Sequence, residues 1–91
     1  MGYCEAWLGS RKVLGEKGDS KTEYRVEFAA PPENSPPPSY TPMEEKQADG
    51  GKKIYYSPWL SSIEDAKNEL AKATDYCRRQ SVKIIVYFEI R

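Results

Sequence analysis

A chain of 91 residues holds one domain with a marginal core, since at this size only somewhat above ~60% of the unfolded surface is buried. Lys+Arg and Asp+Glu both number 14, a formal net charge of zero. That weighs against general nucleic-acid binding, where basic side chains replace phosphate counterions, and against an electrostatic membrane anchor. With 38% hydrophobic residues, 31% charged residues and two Trp, the composition is that of a globular chain rather than a disordered one.

The first residues are not expected to act as a secretion or anchoring signal. Met1 to Val13 has no apolar run and is interrupted by Glu5, Arg11 and Lys12. Gly2 is in place for N-myristoylation, but Ala6 stands where that signal has Ser or Thr. No stretch approaches the ~20 apolar residues that span a bilayer. Cys4 and Cys77 are far apart and too few for a disulfide scaffold, which fits reduced thiols. The expectation is a soluble intracellular protein, cytoplasmic or nuclear.

The N-terminal third reads as a hairpin. Tyr3 to Leu14 is rich in strand formers, interrupted at Gly9-Ser10 in the manner of a bulge or break. Gly15 to Ser20 supplies turn residues. Thr22 to Ala29 then alternates, with Tyr24, Val26 and Phe28 inward and Glu23, Arg25 and Glu27 outward.

The interval Pro31–Gly51 differs in kind. It holds six of the seven prolines and offers only Tyr40, Met43 and Ala48 as apolar side chains. Such a segment buries too little surface to offset its ordering entropy, and its prolines favour polyproline II. It is expected to be a mobile loop projecting from a single domain that spans residues 1–91.

A short strand follows at Lys53 to Tyr56, ended by Ser57-Pro58. Ser61 or Ser62 can cap a helix, with Ser61 and Glu64 in capping-box spacing. Ile63, Ala66, Leu70, Ala73 and Cys77 recur at three- and four-residue steps and form one helical face that ends near Gln80. From Val82 the period becomes two. Val82, Ile84, Val86, Phe88 and Ile90 form an apolar face expected against the helix, while Ile85 and Tyr87 leave the opposite face half apolar. A strand of that kind is usually central in its sheet, or lies where another protein packs. The predicted order is β-β-loop-β-α-β: a small α+β fold, a mostly antiparallel sheet with one amphipathic helix on one face.

The strongest functional pointer lies in the proline interval. Pro37-Pro38-Ser39-Tyr40 is a Pro-Pro-x-Tyr match of the kind that docks in the aromatic groove of WW domains; SH3 domains accept related proline-rich ligands. Preformed polyproline II orders at low cost, and the tyrosine adds a buried anchor with a polar tip. The plain alternative is a linker that matches four positions by chance. Ser35-Pro36, Thr41-Pro42 and Ser57-Pro58 have the minimal pattern of proline-directed kinase sites, and Arg78-Arg79-Gln80-Ser81 resembles a basophilic one. Ser35, Thr41, Ser57 and Ser81 are therefore the candidate phosphorylation sites.

Catalysis finds little support. The chain has no His, which removes the commonest general base and metal ligand. The cysteines lack C-x-x-C spacing, and Glu5 beside Cys4 would raise rather than lower its pKa. No phosphate loop, cofactor motif or metal-ligand spacing is present. The predicted function is a non-catalytic protein-interaction module whose partner-binding residues are Pro37, Pro38, Ser39 and Tyr40 on the loop and Ile85 and Tyr87 on the sheet. That second face also suits homodimer formation. The alternatives are a small accessory subunit and a single-stranded nucleic-acid platform, with Tyr55, Tyr56 and Trp59 near Lys52 and Lys53, and Tyr3, Tyr24 and Tyr87 sharing a sheet surface.

Overall fold

The computed structural model describes residues 2–48 and 51–90, with the backbone alone over 44–48. Five strands and one helix follow in the order β1 (Cys4–Leu14), β2 (Ser20–Ala30), β3 (Thr41–Ala48), β4 (Lys52–Tyr56), α1 (Ile63–Arg79) and β5 (Ile84–Ile90). The sheet order is β3-β4-β2-β1-β5. All neighbours are antiparallel except β1 and β5, which run parallel. The result is the expected small α+β fold, one helix packed on a mostly antiparallel sheet.

β1 and β2 form a long hairpin from Glu5↔Ala29 to Leu14↔Ser20. The expected interruption at Gly9-Ser10 does not occur; Gly9 pairs with Arg25 and Ser10 with Tyr24 inside the ladder. The glycine serves a neighbour instead. A Cβ on Gly9 would meet Glu27 Oε2 at 2.7 Å, so its bare backbone leaves room for that carboxylate to cross the strand.

Alternation decides which side of the hairpin is core. Ala6, Leu8, Val26 and Phe28 point to one side and are buried beneath Ala66, Leu70, Ala73 and Cys77 of α1. These helical positions are the apolar stripe that the spacing predicts. The helix is capped by Ser62, not Ser61: its hydroxyl accepts from Asp65 N–H at 3.1 Å. Gln80 closes the other end, and Ser81 and Val82 return N–H groups to the Arg78 and Cys77 carbonyls at 3.0 and 3.4 Å. That is a Schellman closure, with Ser81 at φ 59 in the position glycine favours.

One expectation about the sheet fails. Part of the expected loop is strand: β3 pairs with β4 at Thr41↔Tyr56 and Pro42↔Tyr55, shifts register, and resumes at Gln47↔Lys53. As an edge strand β3 tolerates Pro42, whose missing N–H costs a central strand a ladder bond. It needs no apolar side chain because it is held through its backbone. Of the two alternatives for β5, the central one is closed: β5 lies at the opposite edge.

Candidate interaction site

The Pro-Pro-x-Tyr segment is folded inward. Tyr40 N–H donates to the Pro37 carbonyl at 3.3 Å, closing a β-turn with Pro38 and Ser39 at its corners. Ser39 has φ 72, far from the polyproline II value near −75°. Pro37 is buried. Tyr40, expected as the anchor offered to a partner's groove, is 9% exposed and belongs to this chain's own core cluster. Its ring meets Phe28 edge-on at 6.4 Å and its hydroxyl donates to Glu69 of α1 at 3.2 Å. Burial, with the Glu69 charge and hydrogen bond added, drives the Tyr40 hydroxyl well above the usual tyrosine range. The segment therefore does not project from the domain as a loop over 31–48: it turns onto the core and enters β3, while Asp49 and Gly50 lie outside the described residues.

The four candidate phosphorylation positions separate by burial. Ser35, Thr41 and Ser81 are exposed. Ser57 is 1% exposed, and its hydroxyl accepts from Val26 N–H at 2.9 Å while donating to the Pro58 carbonyl at 3.1 Å. It gives the Val26 N–H an acceptor, while the Ser57 N–H donates to the Val26 carbonyl at 2.9 Å. Leu60 then rejoins β2 opposite Tyr24.

The helix-free face of the sheet is a ladder of internal pairs. Glu27 accepts from Trp7 Nε1 at 2.8 Å and from Arg25 Nε at 3.1 Å. The Arg25 guanidinium lies 4.4 Å from the centres of both Tyr56 and Trp59, and Arg11 lies 4.3 Å from Trp59 while pairing with Glu23 at 2.8 Å. Lys52 sits 3.2 Å over Tyr3 and 3.2 Å from Glu5, which also accepts from the Tyr87 hydroxyl at 2.9 Å. Rings and cations here are engaged with one another and with carboxylates. Stacked bases and phosphates would have to displace those contacts. Tyr24, read as inward from the alternation, packs against the core cluster together with Tyr55, so neither serves the nucleic-acid platform weighed as an alternative.

Cys4 and Cys77 are both buried free thiols. Burial, and after it a hydrogen bond and charge interaction with Cys77, pushes the Cys4 thiol up to about 12. The predicted direction is right, but its cause is the core and Cys77, not Glu5. Among the described residues no group of three or more His, Cys, Asp or Glu could hold a metal ion. No helix among them is long and apolar enough to cross a membrane.

The β5 edge is a surface of another kind. Ile85 and Tyr87, the predicted sheet contacts, are half-buried on the helix-free face, with Tyr87 tied to Glu5. On the helix side, α1 lies mainly over β1 and β2 and covers β5 less. Phe88 is left 74% exposed and Ile90 47% exposed. A groove of about 370 Å³ runs between helix and strand, lined by Leu70, Thr74, Arg78, Ile84, Val86 and Phe88.

Backbone polarity at this edge follows from one hydrogen bond. Cys4 N–H donates to the Lys83 carbonyl at 2.8 Å, and Cys4 stands beside Ile84. Lys83 and Ile85 thus turn their polar groups toward β1, while Ile84 and Val86 turn theirs to the open edge. Phe88 and Ile90 were placed against the helix by the sequence. What moved them outward is the helix position, together with the break in β1–β5 register after Val86.

Comparison with family models, with curated proteins and with solved structures found no match for this chain.

Proposed function

We propose that the chain is a non-catalytic protein-interaction module that engages a partner by strand addition at β5. One observation carries this reading: the edge combines outward-facing N–H and C=O groups at Ile84 and Val86 with a large exposed phenyl at Phe88 and a groove beside it, apolar on the strand side and bearing Asp75 and Arg78 on the helix side. An added strand satisfies the backbone groups, and its alternate side chains reach the groove. Edges left open this way are normally blunted with charge or proline. The other edge has both in its sequence, Pro42 followed by Glu44, Glu45 and Lys46. β5 from Ile84 to Phe88 has neither.

The non-catalytic part rests on chemistry. The chain lacks His, and both thiols lie in the core, away from any substrate and with Cys4 held protonated at neutral pH. The Pro37–Tyr40 turn is a weaker docking site because its anchor already fills an internal pocket.

The test is selection of a random extended-peptide library on the chain, followed by binding to Val86→Pro. That proline removes an N–H that faces the open edge and leaves the bonds to β1 intact. Selected peptides should alternate apolar residues, perturb the amide signals of Ile84, Val86 and Phe88, and lose binding to Val86→Pro. Peptides that bind both forms equally, or perturb residues 35–42 instead, would overturn the proposal.

A further inference from the structure

The β5 strand is chemically complementary to itself, and on the edge-docking reading above we infer that its partner is a second copy of this chain. Antiparallel pairing about a two-fold axis brings one edge against the same edge of the copy. Centred on Val86 facing the partner's Val86, it sets Ile85 opposite the partner's Tyr87 and Ile84 opposite the partner's Phe88. Lys83, the residue just before β5, then faces the partner's Glu89.

Each of these pairs is matched. Apolar residues oppose apolar ones on both faces, and two opposite-charge pairs close the ends of the strand, the cross-strand contacts that stabilise a sheet. Lys83 and Glu89 are both exposed in the single chain. The backbone agrees with the register, because Ile84 and Val86, whose polar groups face outward, meet residues of the same parity.

Neighbouring registers are worse. Moving the centre to Ile85 or Tyr87 sets Glu89 against Ser81 or Ile85 and loses both ion pairs. Half-step registers oppose Val86 to a residue of odd number, such as Ile85, which gives its polar groups to β1. In the favoured register the two helices lie on one side of a continuous sheet. The partner's Phe88 then rests beside Ile84 at the mouth of the groove, covering the exposed apolar strip.

The experiment is sedimentation equilibrium on the wild type, Lys83→Glu, Glu89→Lys, the double variant, and an equimolar mixture of the two single variants. Both positions are exposed, and circular dichroism checks that each variant folds. The wild type should dimerise. Each single variant turns two attractions into two repulsions and should weaken the dimer about tenfold or more. The double variant and the mixture both restore opposite charges and should recover it. A chain that stays monomeric overturns self-pairing; if library peptides still bind β5, the edge-docking reading survives alone. A wild-type dimer indifferent to all these changes overturns the register and the β5 interface together.

Discussion

The Tyr40 hydroxyl donates to the Glu69 carboxylate at 3.2 Å, joining the proline-rich connection to the middle of α1 across 29 residues of sequence. The same ring closes the core edge-on against Phe28. Tyr40→Phe keeps the ring and removes the bond, and Glu69 is half-exposed and can turn to water. The loss should be about 1 kcal/mol. Tyr40→Ala opens a cavity in the core and should cost about 3–5 kcal/mol. Urea unfolding followed by tryptophan fluorescence measures both.

Access to the Pro-Pro-x-Tyr segment requires that packing to open. A free peptide spanning Ser35 to Pro42 carries no such cost. A WW domain that captures the peptide should bind the intact chain at least ~100-fold more weakly, because only the opened fraction is competent. Isothermal titration of one WW domain with both ligands checks this. Equal affinities would mean that the turn at Ser39 and the burial of Tyr40 have no energetic weight.

Alkaline pH should destabilise the fold through two named groups. Cys4 is raised from 9.0 to about 12, and Tyr40 is raised from an ordinary value of 10.0. For both, the folded state holds its proton more tightly than the unfolded state. Their contribution is therefore complete below pH 9 and is lost as pH climbs through the raised values, at up to ~1.4 kcal/mol per pH unit for each group. Urea midpoints should fall from about pH 9 and more steeply above pH 10. Tyr40→Phe should remove the steeper part, and Cys4→Ala the earlier one.

Lys52 is 6% exposed, and Glu5 is its carboxylate partner. Glu5→Ala strands a buried ammonium over the Tyr3 ring and should cost about 3 kcal/mol. Changing Glu5 and Lys52 together to Gln and Met should cost much less, because no unpaired charge remains. Thermal unfolding of the two variants separates a charge effect from a packing effect.

Ser81 holds a positive φ at the helix closure, a conformation glycine adopts without a Cβ clash. Ser81→Gly should stabilise the chain by about 0.5–1 kcal/mol, with the loss of unfolded-state restriction offsetting part of the relief. Chemical denaturation detects a change of that size. A destabilised variant would mean that the Ser81 side chain does more than occupy the position.

Much of the fold was legible in local pattern. The stripe from Ala66 to Cys77 and the alternation of Val26 with Phe28 each repeat within a few residues, and core burial demands those periods whatever lies next to them. β3 left no such trace, since an edge strand is held by backbone hydrogen bonds that any side chain permits. Ser62 rather than Ser61 as cap was likewise open, because both have the chemistry and only the entry of the chain chooses.

The candidate site was less legible. Pro37, Pro38, Ser39 and Tyr40 are a ligand pattern in sequence, yet a tyrosine can serve a partner's groove or its own core equally well. Phe28 and Glu69, distant in sequence, take it inward. Ile85 and Tyr87 signalled a second apolar face, whereas the exposed residues are Phe88 and Ile90, on the face assigned to the helix.

By itself, then, the amino-acid order determined where α1, the β1–β2 hairpin, β4 and β5 lie, but not β3, because local period depends on neighbours a few positions away. Only the tertiary structure decided that β5 is an edge, that α1 stops short of covering it and that the proline turn is closed. Each of those outcomes depends on pairing between segments tens of residues apart, where backbone groups and available space, not local periodicity, make the choice.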